Sequence, residues 1–125
     1  MPRGCARCNL LSRAGVDGQQ FSWKDVVFDI AKATAIIDAV HRDPIEVPSA
    51  GAAEALLDPD LSISLRHVRH VDIRYPAIVV RRGGKWVFID GNHRAFARMC
   101  RRLPIKAYLL TARETRAVTR KRQKS

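Results

Sequence analysis

Apolar positions along this chain come in short blocks that follow either a helical or a strand period. Val26, Ile30, Ala33, Ile37 and Val40 fall on one helix face. Ser22, with Asp25 three residues on and Phe21 able to pack on Val26, reads as the start of that helix; Asp43-Pro44 ends it near His41. Ile45-Glu46-Val47 fits a short strand, and Ser49 caps an alanine-rich helix through Leu56-Leu57 that Asp58-Pro59 stops. Over 60–73 the pattern is mixed. Leu61, Ile63 and Leu65 alternate, Val68 and Val71 suit a helical turn, and the expectation is a solvated loop made basic by Arg66, His67, Arg69 and His70.

The second half is plainer. Ala77 to Arg82 and Lys85 to Ile89 flank Gly83-Gly84, whose positive φ suits a tight hairpin. Gly91 then turns the chain into a helix. Phe96, Met99, Cys100 and Leu103 form its apolar stripe, which makes Cys100 a small core residue, and Arg94, Arg98, Arg101 and Arg102 occupy the other side. Pro104 leads a strand to Leu110, and Thr111 with Glu114 makes a capping box for a last helix. The pattern predicts an α+β protein, a small mixed sheet backed by helices over 21–119, between a disordered leader (1–20) and a fraying basic tail (120–125).

A length of 125 residues suits one core. Charge changes the picture more. The net +11 is concentrated: from His93 onward eleven Lys/Arg face one acid, Glu114, while residues 1–92 carry twelve against eleven. That asymmetry argues for a polyanionic partner, nucleic acid first, an anionic membrane surface or acidic protein after it. The expected contacts are Arg98, Arg101, Arg102, Arg116, Arg120, Lys121, Arg122 and Lys124, acting on phosphates without sequence preference because Tyr108 is the one aromatic left there to stack. No apolar run is long enough for a membrane span, and with no secretory signal the expected compartment is the cytoplasm. Cys5-Ala6-Arg7-Cys8 and His67-Val68-Arg69-His70 could together ligate zinc, but their separation is far from that of a finger, so a reduced pair in a mobile leader is the preferred reading.

The chemistry centres on Asp90-Gly91-Asn92-His93-Arg94. Asn92 is a good N-cap, and the amides of Asn92, His93 and Arg94 would then face an anion at the positive end of the helix dipole. His93 and Arg94 suit phosphate oxygens. Asp90 beside them is placed to hold a metal ion or orient a water, with His93 as acid or base.

Asp90-Gly91-Asn92-His93-Arg94-Ala95, the following Leu103-Pro104-Ile105, the strand from Lys106 to Thr111 and the upstream Tyr75-Pro76-Ala77-Ile78-Val79-Val80 resemble the core of the ParB/sulfiredoxin superfamily, over roughly 74–111. The resemblance implies that the turn at Gly91 to Arg94 binds the phosphates of a nucleoside triphosphate, ATP or CTP, with Mg2+ as a companion ion. It also implies DNA binding, and a metal-dependent DNase or ATPase as the possible activity. Sulfiredoxins place their catalytic cysteine just before the His-Arg pair. Asn92 stands there in this chain, so the nucleophile of sulfiredoxin chemistry is missing. The alternative is a non-enzymatic protein that inhibits DNA-transfer or segregation machinery by docking on it.

Overall fold

The computed structural model describes residues 20–58, 61 and 63–122, with His67 and His70 described through their backbone alone. The leader with Cys5 and Cys8, and Lys124 of the basic tail, lie outside the described residues.

The first departure from the sequence reading comes at once. Phe21 and Trp23 do not open a helix. β1 (Gln20–Trp23) and β2 (Val26–Asp29) form an antiparallel hairpin with Trp23 opposite Val26. Lys24 takes the left-handed backbone (φ 53°) that the turn between them requires. Val26, Val27 and Phe28 are all buried, a consecutive apolar run that a strand covered on both faces can hide and an amphipathic helix cannot. α1 (Ile30–Val40) begins later. Its N-cap is Asp29, not Ser22, and the Asp29 carboxylate accepts the Lys32 amide at 3.0 Å. Ile30, Ala33 and Ile37 are buried on it, while Val40, assigned to the same stripe, is exposed.

β3 (Ile45–Glu46) is followed by α2 (Ser49–Leu56), which starts without a side-chain cap. Gly51 lets α2 lie on Trp86: a Cβ there would stand 2.4 Å from the ring's Cδ1. The segment expected to be a loop contains α3 (Leu65–His70). Val68 packs with Val71, Ile73 and Ala97, a small apolar patch that orders this short helix against the rest of the chain.

The double-glycine hairpin is as expected: β4 (Ala77–Arg82) pairs with β5 (Lys85–Asp90) around Gly83 and Gly84, both at positive φ. α4 (Asn92–Cys100), β6 (Lys106–Leu109), α5 (Ala112–Val118) and β7 (Thr119–Lys121) complete the order. Thr111 and Glu114 form the capping box of α5. Arg120 and Lys121 are strand residues and not the start of a fraying tail. They pair with Val27 and Val26, because the β1–β2 hairpin leaves the second edge of β2 open for a partner.

The fold is α+β with two small sheets where the pattern predicted one. The mixed sheet has order β3-β6-β4-β5, with β4 parallel to β6 and its other pairings antiparallel; the second sheet is β1-β2-β7. Ile78, Val80, Val87 and Ile89 on one face of the mixed sheet share a core with Val26, Phe28, Ile30 and Val118. Ala77, Val79 and Phe88 on the other face pack with Ala52, Leu56 and Ala95 of α2 and α4. That second layer seats α4 at the end of β5. No helix among the described residues is long and apolar enough to cross a membrane.

Candidate functional site

β5 ends at Asp90, which lies opposite Ile78 and is 7% exposed. Gly91 turns with φ 78° and ψ 25°, a conformation in which a side chain is disfavoured. Space excludes one as well. A Cβ at Gly91 would meet the Arg94 Nη2 at 2.7 Å and the Ala77 Cα at 3.0 Å. The strand-to-helix corner is therefore held tight against the start of β4.

α4 follows without a side-chain cap. Asn92 is its first residue and not the N-cap the sequence pattern predicted, since Gly91 occupies the cap position. The Asn92 Oδ1 is buried and has no hydrogen-bond partner among the described residues. An uncapped helix start retains amides that an anion can satisfy.

Arg94 points inward. It is 2% exposed, its Nη2 donates to the Pro76 carbonyl at 3.0 Å, and it stands 3.4 Å from the Asp90 Oδ2. Burial pushes the Asp90 carboxyl up to about 6, against the opposing pull of the Arg94 guanidinium and the Gly91 amide. At 3.4 Å the Arg94 contact is too long to offset the loss of hydration. His93 is tied as well: its Nε2 accepts the Ser64 amide at 3.0 Å, which keeps that nitrogen unprotonated and places the neutral ring's proton on Nδ1. Ser64 is the member of this corner for which the sequence offered no signal, since it comes from the segment read as a loop.

The Asp90 carboxylate already faces the Arg94 guanidinium, which would compete with a divalent cation for it. A phosphate at the α4 start is compatible with the uncapped amides, but Arg94 is turned away from solvent and cannot clamp it from outside.

The remaining residues separate into two sets. Arg98, half-buried, donates to the carbonyls of Ile73 (2.9 Å) and Pro104 (3.1 Å). Arg101, Arg102, Arg116, Arg120, Lys121 and Arg122 are exposed. α4 ends in a Schellman turn, with the Leu103 amide on the Arg98 carbonyl and the Arg102 amide on that of Met99; Arg102 takes φ 56°. The face of α4 that is buried carries Arg94, Ala95 and Ala97. Cys100 is exposed, contrary to its expected core position, and Leu103 is exposed too. Phe96 and Met99 of the expected stripe are partly buried, packed against the apolar clusters.

Comparison with known proteins returns no matching family model, no matching curated protein and no matching solved structure.

Proposed function

We propose that this protein binds nucleic acid through phosphate contacts on its basic C-terminal face, and holds the phosphates of a nucleotide at the start of α4, as the ParB/sulfiredoxin resemblance implies. The observation that carries the first part is where the counter-charge goes. Glu114, the one acid after residue 92, is clasped in a bidentate pair by Arg42 (2.5 and 2.6 Å) and accepts the Thr111 amide as well. Arg101, Arg102, Arg116, Arg120 and Lys121 remain exposed with no ion pair among the described residues. Exposed cations that make no ion pair of their own are attracted to polyanions.

The uncapped α4 start supports the second part, with the amides of Asn92, His93 and Arg94 as donors and Arg94 as an internal brace. Binding is favoured over hydrolysis. Asp90 is buried beside a guanidinium and the Nε2 of His93 is engaged, so neither is placed to activate a water.

Two titrations test this. The affinity for a labelled DNA duplex is expected to fall with salt by about 0.9 log units per log unit for each phosphate contacted. Labelled ATP and CTP are expected to show saturable binding to the same protein. Absence of salt-dependent DNA binding would remove the nucleic-acid reading in favour of a protein partner. Absence of nucleotide binding would remove the second part.

A further inference from the structure

The turns of the two hairpins lie side by side. Arg82 at the end of β4 reaches the Asp25 carboxylate in the β1–β2 turn at 3.3 Å. Arg122, just past β7, donates its amide to the Asp25 carbonyl at 2.9 Å and its guanidinium to the Lys24 carbonyl at 3.4 Å. Trp23 stands among them, half-buried, packed on the core of β2 and α1. Two cations lie over its ring: the Lys24 Nζ at 4.8 Å from the centroid and the Arg82 guanidinium carbon at 5.8 Å. The strand register puts Lys121 in the same row as Trp23 and Val26.

Lys24 adds a second observation. It holds a left-handed backbone (φ 53°) that glycine or asparagine would adopt at lower cost. The lysine in that place sets an ammonium above an indole amid other cations. Cation–π contact alone is a weak reason at an exposed site. Asp25 offsets the charge of Arg82, whereas Lys24 and Arg122 have no ion pair among the described residues, and a stacked base with its phosphates would supply their counter-charge.

We propose that this double-hairpin tip binds single-stranded nucleic acid, one base stacking on the Trp23 indole while Lys24, Arg82 and Arg122 take the flanking phosphates. The proposal rests on the nucleic-acid reading above and narrows it to unpaired strands, since a base inside a duplex has no free face for the indole. DNA and RNA strands share that chemistry.

The test is fluorescence anisotropy of the full chain with labelled oligothymidylate, oligouridylate and a DNA duplex of equal length. Trp23→Leu keeps the apolar packing and is expected to weaken single-strand binding about ten-fold, in the range for loss of one stacked base, with duplex affinity little changed. Trp23→Phe is expected to restore most of the loss. Lys24→Gly relieves the left-handed turn, so it folds at least as well, and is expected to lower the single-strand salt slope by about 0.7. The oligothymidylate and oligouridylate arms compare a DNA strand with an RNA strand. Equal single-strand affinity in the native protein and Trp23→Leu, with salt-dependent binding intact, overturns this inference and leaves the broader reading standing. If Trp23→Leu does not fold, an unchanged slope in Lys24→Gly overturns it. No binding to strand or duplex overturns both.

Discussion

Four arginines share one side of α4 and its C-terminal turn in the sequence pattern, yet the structure uses them in two ways. Arg94 and Arg98 are drawn inward, onto the carbonyls of Pro76 and Ile73. Arg101 and Arg102, past the last helical turn, are left in solvent. The first pair lies beside the segment that leads into β4, whose carbonyls there need donors, and a guanidinium reaches farther than any other side-chain donor. The second pair has no such neighbour. A basic stripe is thus not one surface. Its inner half is bonded to the chain's own carbonyls, and its outer half is exposed.

The largest effect should come from the inner half. Arg94→Ala would leave Asp90 buried without its cation and the Pro76 carbonyl without a donor, at a cost of about 3–5 kcal/mol in urea unfolding. Arg101→Ala should stay within about 0.5 kcal/mol. A stable Arg94→Ala protein that had lost only nucleotide affinity would restore Arg94 to the role of external phosphate clamp and dissolve the distinction.

Gly91→Ala comes next. The left-handed φ and the contacts with Arg94 and Ala77 leave no room for a methyl group. A loss of roughly 1–3 kcal/mol is expected, seen as a lower thermal midpoint. A loss no greater than that of Gly83→Ala, where φ is also positive but no atom lies within 4 Å of the added Cβ, would show that conformation and not crowding governs the corner.

Acid titration separates the buried pair from the half-buried Arg42–Glu114 clasp. Asp90 rises from an ordinary 3.8 to about 6 in the folded state, so the native form holds its proton more tightly and stability through this group falls as pH climbs from about 4 to 6. Glu114, held down to about 2 mainly by its hydrogen bonds with Arg42, contributes stability that is complete above 4.5 and lost as pH drops toward 2. Thermal unfolding across that range should therefore show opposite slopes on either side of pH 4. Glu114→Gln should flatten the lower limb and leave the upper one. A lower limb unchanged in Glu114→Gln would assign it to other carboxylates, such as the Asp72 that Arg74 holds below its ordinary range.

The smallest effect is at Arg102. Glycine there should relieve its left-handed backbone by about 1 kcal/mol, raising the melting temperature, while the DNA salt slope drops by about 0.9. Stability and binding moving in opposite directions would mark Arg102 as belonging to the outer set. A higher melting temperature with the slope unchanged would leave that arginine out of the interface.

What was legible in the chain was local. Gly83-Gly84, the turn at Gly91 and the Thr111–Glu114 capping box are each specified by residues within a few positions of one another, and all three are present. The β1–β2 hairpin was hidden because its turn carries no glycine. Lys24 adopts the positive φ itself, and Ser22 with Asp25 imitated a helix start. The strand β7 could not be seen in a run of Thr, Arg and Lys because its cause is the open edge of β2, nearly a hundred residues away in sequence. The corner shows the same division. Its glycine and its polar side chains follow from the sequence, as does the start of a helix there. The directions of those side chains do not. Arg94 and Arg98 find their carbonyls 18 and 25 residues upstream, and His93 finds the Ser64 amide 29 residues away. Local pattern sets which backbone a segment can adopt, because φ, ψ and capping are satisfied by neighbours. Whether a charged side chain is buried or offered to a partner depends on which unsatisfied backbone groups the packed elements bring within its reach, and that is decided only when the sheets and helices come together.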